Sequence, residues 1–200
     1  MSTRPWVNLV DGQPEVRKAL LRLLAAAGYQ ARGFASAADF LAAGAPQEAG
    51  CIVLDLEMPG TDGLGLQRLL AERASLLPVI FLSGHGDLAS GVQAMKAGAT
   101  DFLTKPVDEA TLLAAVQAAL QRNQAAHASQ ASQSDLRQRL DSLTPRERDV
   151  LPLLAEGMLN KQIAATLGTA EQTIKIHRAR ILQKMQVRSV TALVRLLGQA

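Results

Sequence analysis

Residues 51–56 read CIVLDL and residues 78–82 read PVIFL. Neither run alternates apolar with polar residues, so neither suits a strand with one face in water. Both suit strands of a parallel sheet covered on its two faces. Helix-period stretches fill the intervals around them: DGLGLQRLLAERA (62–74) lies between the two runs, and DLASGVQAMKAG (87–98) follows the second. Upstream stand WVNLV (6–10), PEVRKALLRLLAAAG (14–28), YQARGF (29–34) and SAADFLAAG (36–44); downstream stand DFLTKP (101–106) and DEATLLAAVQAALQRN (108–123). In the first helical stretch Val16, Leu20, Leu23, Leu24 and Ala27 keep helical spacing, and Gly28 can stop it. The alternation predicts an α/β unit of (βα)5 type, a doubly wound parallel sheet.

Two hundred residues suffice for this unit and a second, smaller one. The composition is globular, 48% apolar and 20% charged, and no apolar run approaches the ~20 residues of a membrane helix. No signal peptide is visible, so a cytoplasmic protein is expected. The lone Cys51 lies in an apolar run and reads as a small buried residue. A formal net charge of +3 hides an asymmetry: residues 1–123 hold 10 Lys/Arg against 12 Asp/Glu, whereas residues 124–200 hold 11 against 6. A polyanion is therefore the expected partner of the second part.

Ligands of such a sheet bind beyond the carboxyl ends of its strands. There the sequence puts Asp11, Asp55, Ser83 and Lys105, after the first, third, fourth and fifth strands. A carboxylate nucleophile with a hydroxyl and an ammonium beside it suits phosphoryl transfer. His85, in GHGD, reads as a loop residue because no His or Cys constellation surrounds it, and Gly60, Gly63 and Gly65 read as turn and packing glycines.

From Gln117 the chain becomes rich in Ala, Gln and Ser without Gly or Pro, a helix-permissive linker. Leu136, Leu140 and Leu143 fall on one stripe, so its second half is either an amphipathic helix or a plain tether. Thr144, Pro145 and Glu147 form a capping box that opens a helix through Glu156, with Pro152 inside it. Asn160 is placed to cap KQIAATL, Gly168 to stop it, and Thr169 to open AEQTIKIHRARILQKMQ; VRSVTALVRLL supplies a fourth helix. Two short helices about a Gly-containing turn read as helix-turn-helix. Along the third helix Ile174, Ile181 and Met185 form a core stripe, while Lys175, Ile176, Ala179, Arg180 and Gln183 spread opposite. A basic face with an aliphatic member fits the DNA major groove.

The stretches VRKALLRLL, VLDLEMPGTDG, FLSGHGD and AMKAGATDFLTKP resemble the receiver domain of bacterial two-component response regulators over residues 5–122. By that resemblance Asp55 is the phospho-acceptor of a sensor histidine kinase, Ser83 the switch hydroxyl, Lys105 the phosphate-sensing lysine with a cis bond to Pro106, and Phe102 the aromatic switch. Receivers end their first strand with two adjacent acids that help bind Mg²⁺; here Asp11 is followed by Gly12. The expected metal set is Asp11 and Asp55 with lower affinity, and Glu57 is either a solvated loop acid or a replacement carboxylate at the rim.

LTPRERDVLPLLAEGMLNKQIAATLG and TIKIHRARILQKM resemble the LuxR-type helix-turn-helix over residues 141–198, and the whole chain resembles the FixJ/NarL family of response regulators. The resemblance implies a receiver at 1–122, a partly helical linker at 123–140 and a DNA-binding domain at 141–200. Lys175, Ile176 and Ala179 then face bases, Lys161 and Thr173 meet phosphates, and Arg180 joins the basic face. Val190, Leu193, Val194 and Leu197 in the last helix offer a surface for a homodimer on promoter DNA. Ala170 stands where the family has a serine cap, with Thr169 as a substitute, and His177 reads as structural. Two alternatives stay open: a regulator independent of phosphorylation, favoured by Gly12, and an aspartyl-phosphate phosphatase of haloacid-dehalogenase type. The latter calls for a second aspartate where this chain has Glu57 and leaves the C-terminal part unexplained.

Overall fold

The computed structural model describes residues 5–44, 49–58, 62–84 and 88–198. His85 and Gly60 lie outside the described residues. Contacts divide the chain into two units, Met1–Ala128 and Ser129–Ala200.

In the first unit five parallel strands stand in the order β2-β1-β3-β4-β5: β1 Trp6–Val10, β2 Gln30–Phe34, β3 Gly50–Asp55, β4 Val79–Ser83 and β5 Asp101–Thr104. The helices α1 Pro14–Ala26, α2 Ala37–Ala42, α3 Gly63–Glu72 and α4 Leu88–Lys96 alternate with them, and α5 Glu109–Asp141 follows. Every residue of β3 and β4 is buried, as continuously apolar central strands require. Two cores flank the sheet. Leu9, Val53, Ile80 and Leu82 pack on Leu20, Leu24, Leu112 and Val116; Val10, Ile52, Leu54 and Phe81 pack on Phe40, Leu66 and Leu70. Cys51 is buried, and burial pushes its thiol up to about 12, so it is an inert core residue. The order reverses between β1 and β3, and the ends of those strands open the crevice in which Asp11 and Asp55 sit.

The second unit is helical: the end of α5, then α6 Pro145–Ala155, α7 Asn160–Leu167, α8 Glu171–Lys184 and α9 Val190–Leu197. The second half of the linker is an amphipathic helix rather than a tether: on the end of α5 Leu136 is buried with Val150, Leu154, Ile163, Ile174, Ile181 and Met185 and Leu140 packs partly against them, and Leu143, just past the helix, is buried with them. The Thr144 capping box forms as its residue types dictate, with both reciprocal bonds in place. Helix α6 continues through Pro152. Gly168 ends α7 at a left-handed φ of 61°, which turns the chain tightly toward α8.

Two cap assignments need correction. Asn160 is already helical; Leu159 holds the cap position, its N–H donating to Gln162 Oε1 at 2.8 Å, and the Asn160 Oδ1 accepts instead from Arg178 at 3.4 Å. Thr169 does not cap α8, whose cap residue Ala170 has no side chain able to accept a bond.

Candidate functional sites

The first site forms where β1, β3, β4 and β5 end. Asp11 is 0% exposed, Asp55 2% and Ser83 0%. Lys105, at the end of β5, reaches across the sheet so that its Nζ lies 2.7 Å from Asp11 Oδ2 and 3.1 Å from Asp55 Oδ2. The remaining carboxylate oxygens also accept: Asp11 Oδ1 from the Gln13 N–H at 2.8 Å, and Asp55 Oδ1 from the Glu57 N–H at 3.3 Å. Burial holds the Asp55 carboxyl above its usual value by stripping its water, and the Asp11 charge adds to this, while the Lys105 ammonium pulls the other way. The peptide bond from Lys105 to Pro106 is cis. The Phe102 ring lies tilted at 38° to that of Phe81 with centroids 6.5 Å apart. Sequence reasoning passed over Arg17, whose guanidinium donates to the Asp11 carbonyl at 2.6 Å and fixes the β1–α1 turn. Its place one helical turn into α1 was the available signal.

Mg²⁺ asks for near-octahedral oxygen coordination. Among the described residues two buried carboxylates line this crevice, Glu57 is exposed, and no three His, Cys, Asp or Glu side chains gather as a metal-holding group. Each of the four buried carboxylate oxygens already accepts a bond from the protein. The residues present do not fit a tightly resident Mg²⁺.

The second site is the outer face of α8. Ile174, Ile181 and Met185 are fully buried, whereas Lys175, Ile176, Ala179, Arg180 and Gln183 are exposed. Ile176 keeps 45% of its surface in solvent. Lys161, near the start of α7, is exposed, and Thr173, in the first turn of α8, is half-buried. The α8 helix is seated by an ion pair that the sequence did not reveal: Lys184 Nζ donates to Glu147 Oε2 at 2.6 Å and to the Ser142 carbonyl at 2.9 Å. The only cue was an acid in a capping box with a lysine 37 residues away. His177 Nδ1 is buried without a hydrogen-bond partner. In α9, Leu193 is 0% exposed and belongs to the core of its own unit, which removes it from any surface offered to a second chain; Val194 is 43% exposed, and Val190 and Leu197 are half-buried.

Residues 7–117 match the family model for the response regulator receiver domain, and residues 141–197 match that for bacterial regulatory proteins of the luxR family. The chain belongs to the DNA-binding response regulators. It is 40% identical over 195 residues to nodulation protein W of Bradyrhizobium diazoefficiens, covering 98% of this chain and 86% of that protein. It is 42% identical over 190 residues to the transcriptional regulatory protein FixJ of Azorhizobium caulinodans, covering 95% and 90%. Among solved structures it resembles the response regulator StyR at 43% identity and a TM-score of 0.92, covering 99% of this chain and all of that one. Full-length FixJ from B. japonicum follows at 37% identity and a TM-score of 0.62, covering 99% and 98%. This response regulator is a transcription regulator of a two-component system and not an enzyme. Its family membership implies duplex DNA and a sensor kinase as partners, and receiver domains generally bind Mg²⁺ for phosphorylation. Among the described residues no helix is long and apolar enough to cross a membrane.

Proposed function

We propose that this regulator is switched by phosphorylation of Asp55 and that the outer face of α8 then reads a promoter. The observation that carries the reading is the half-buried Lys105 that bridges the buried Asp11 and Asp55 at the strand ends, which positions an ammonium beside the carboxylate that would attack. Ser83 and Lys105 hold the phosphoryl oxygens, and Phe102 repacks in response. Mg²⁺ binds weakly, with Asp11 and Asp55 as its protein carboxylates and Glu57 at the rim. Within the major groove Lys175, Ile176 and Ala179 meet base edges, while Lys161, Thr173 and Arg180 hold the backbone. The receiver comprises residues 1–122, joined through 123–140 to a DNA-binding domain at 141–200. Pairing of two chains through Val190, Val194 and Leu197 matches a two-fold operator, and the protein works in the cytoplasm with a histidine kinase as its donor.

Genome-wide DNA pull-down from cells carrying wild-type or Asp55→Asn protein, with and without phospho-donor, tests this. Targets enriched by the donor in the wild type alone are expected. A second reading, a regulator indifferent to phosphate, is favoured by Gly12; identical target sets in all four samples would establish it.

A further inference from the structure

The acidic crevice differs from a metal-assisted one in its charge balance. Two buried carboxylates, Asp11 and Asp55, face one ammonium, Lys105, so the described side chains leave a surplus of a single negative charge. An acid at position 12 would double that surplus, and a divalent cation would then be needed before a phosphoryl dianion could approach. Gly12 keeps the surplus at that single charge. The cation that is present stands where charge must be offset: Nζ lies 3.1 Å from Asp55 Oδ2. A phosphorus bonded to that oxygen brings its own oxygens within reach of the same ammonium. Lysine suits the task because its three rotatable donors can stay on Asp11 and turn toward a new acceptor.

We infer that Lys105 takes over the metal's charge-neutralising role here, so that phosphoryl transfer to Asp55 from an acyl phosphate is slow, independent of Mg²⁺ and dependent on Lys105. The inference rests on the reading of Asp55 as phospho-acceptor. In the step, an Asp55 carboxylate oxygen attacks phosphorus and the new O–P bond forms as the bond from phosphorus to the acyl oxygen breaks. The carboxylate leaves with that bond's electron pair, Lys105 keeps its protons, and no other reactant is consumed.

The test is acetyl phosphate labelling of the full-length protein in excess Mg²⁺ and in excess EDTA, read by intact mass, with calorimetric titration of Mg²⁺ alone beside it. For the wild type, the two labelling rates should agree within about threefold, and any Mg²⁺ binding heat at millimolar concentration should be far smaller than that of Gly12→Asp. Lys105→Met should slow labelling about a hundredfold in both media. Gly12→Asp should bind Mg²⁺ and become about tenfold or more dependent on it. A thermal melt of Gly12→Asp checks that the variant is folded before its chemistry is read. Wild-type labelling that stops in EDTA, labelling unaffected by Lys105→Met, or labelling seen only in Gly12→Asp with Mg²⁺ would each overturn the inference. Failure of wild type and Gly12→Asp alike, with Mg²⁺ bound to the latter, would overturn the phospho-acceptor reading itself.

Discussion

The acidic crevice hides its charge, and the α8 face displays it. The buried Asp11 and Asp55 share the half-buried Lys105 at 2.7 and 3.1 Å, so no one of the three can change without leaving another unsatisfied. Lys175, Ile176, Ala179 and Arg180 stand in solvent at helical spacing and act separately until DNA arrives. Substitutions in the crevice should therefore be strongly coupled and those on α8 nearly additive.

The largest effect is expected at Asp55. Asp55→Asn removes the attacking oxygen and should abolish acyl-phosphate labelling, so adding Lys105→Met to it should change nothing further, the limiting case of coupling. Labelling of the wild type should fall as the pH drops. The sign follows from the raised carboxyl value: Asp55 takes up its proton at a higher pH than an ordinary aspartate, and only the deprotonated form attacks. A rate that holds level down to the usual aspartate range would show that the crevice does not suppress the charge on Asp55.

Next comes the buried side of α8. Ile181 is fully buried among Leu136, Val150 and Met185, and Ile181→Ala should destabilise the second unit by ~2–5 kcal/mol. Urea melts of the full chain followed by circular dichroism should show the helical signal lost in two stages, because the first unit has cores of its own. A single shifted transition would mean that the two units unfold together.

The exposed side of the same helix should respond more gently. Lys175→Ala should cost ~1–3 kcal/mol of DNA binding and relax preference at one base step, whereas Lys161→Ala should weaken all sequences alike. The double variant should lose the sum of the two. A marked departure from additivity in gel-shift titrations would show that the α8 face is coupled as the crevice is.

The same contrast governs what could be read from the sequence. CIVLDL and PVIFL revealed central strands because burial on both faces leaves a continuous apolar record, and the strand ends then located Asp11, Asp55, Ser83 and Lys105 together. The α8 face was legible because one periodicity separates its two sides. Contacts that join distant residues left no such record. Asn8 is buried in β1, donating to the Cys51 carbonyl at 3.1 Å and accepting from Arg32 Nε at 2.7 Å, and Asn123 clamps the Gly50 N–H and the Leu76 carbonyl. A single polar residue in an apolar stretch looks the same whether it is clamped or solvated. The caps of α7 and α8 were misplaced by one residue because Asn160 and Thr169 are good caps in themselves; Leu159 opens α7 through its bond to Gln162, and the turn at Gly168 sets where α8 begins. Leu193 could not be separated from Val194 as an interface residue, since α9 is apolar on both sides of the boundary between its core and its surface.

The smallest effect probes whether the DNA-binding unit carries a coupled charge cluster of its own. Glu147 is 1% exposed. Its Oε2 accepts from Lys184 at 2.6 Å and from the Thr144 N–H at 2.9 Å, while its own N–H donates to Thr144 Oγ1 at 3.3 Å. Burial alone would raise the carboxyl, but Lys184 and the two bonds to Thr144 outweigh it, and the group lies below the usual glutamate value. A carboxyl depressed in the folded state adds stability that is present above its unfolded value, near 4.5, and is lost as the pH falls through the folded one. The second unit should therefore hold steady from neutrality down to that value and weaken below it, and Glu147→Gln should flatten that acid limb. Thr144→Ala removes one cap acceptor and should cost about 1 kcal/mol at neutral pH. It should also shrink the acid limb, because the Thr144 hydroxyl accepts from the Glu147 N–H and helps hold the carboxylate in place. An acid limb in Glu147→Gln as steep as in the wild type would put the proton uptake elsewhere, and the second unit would then have no counterpart to the coupled charges of the first.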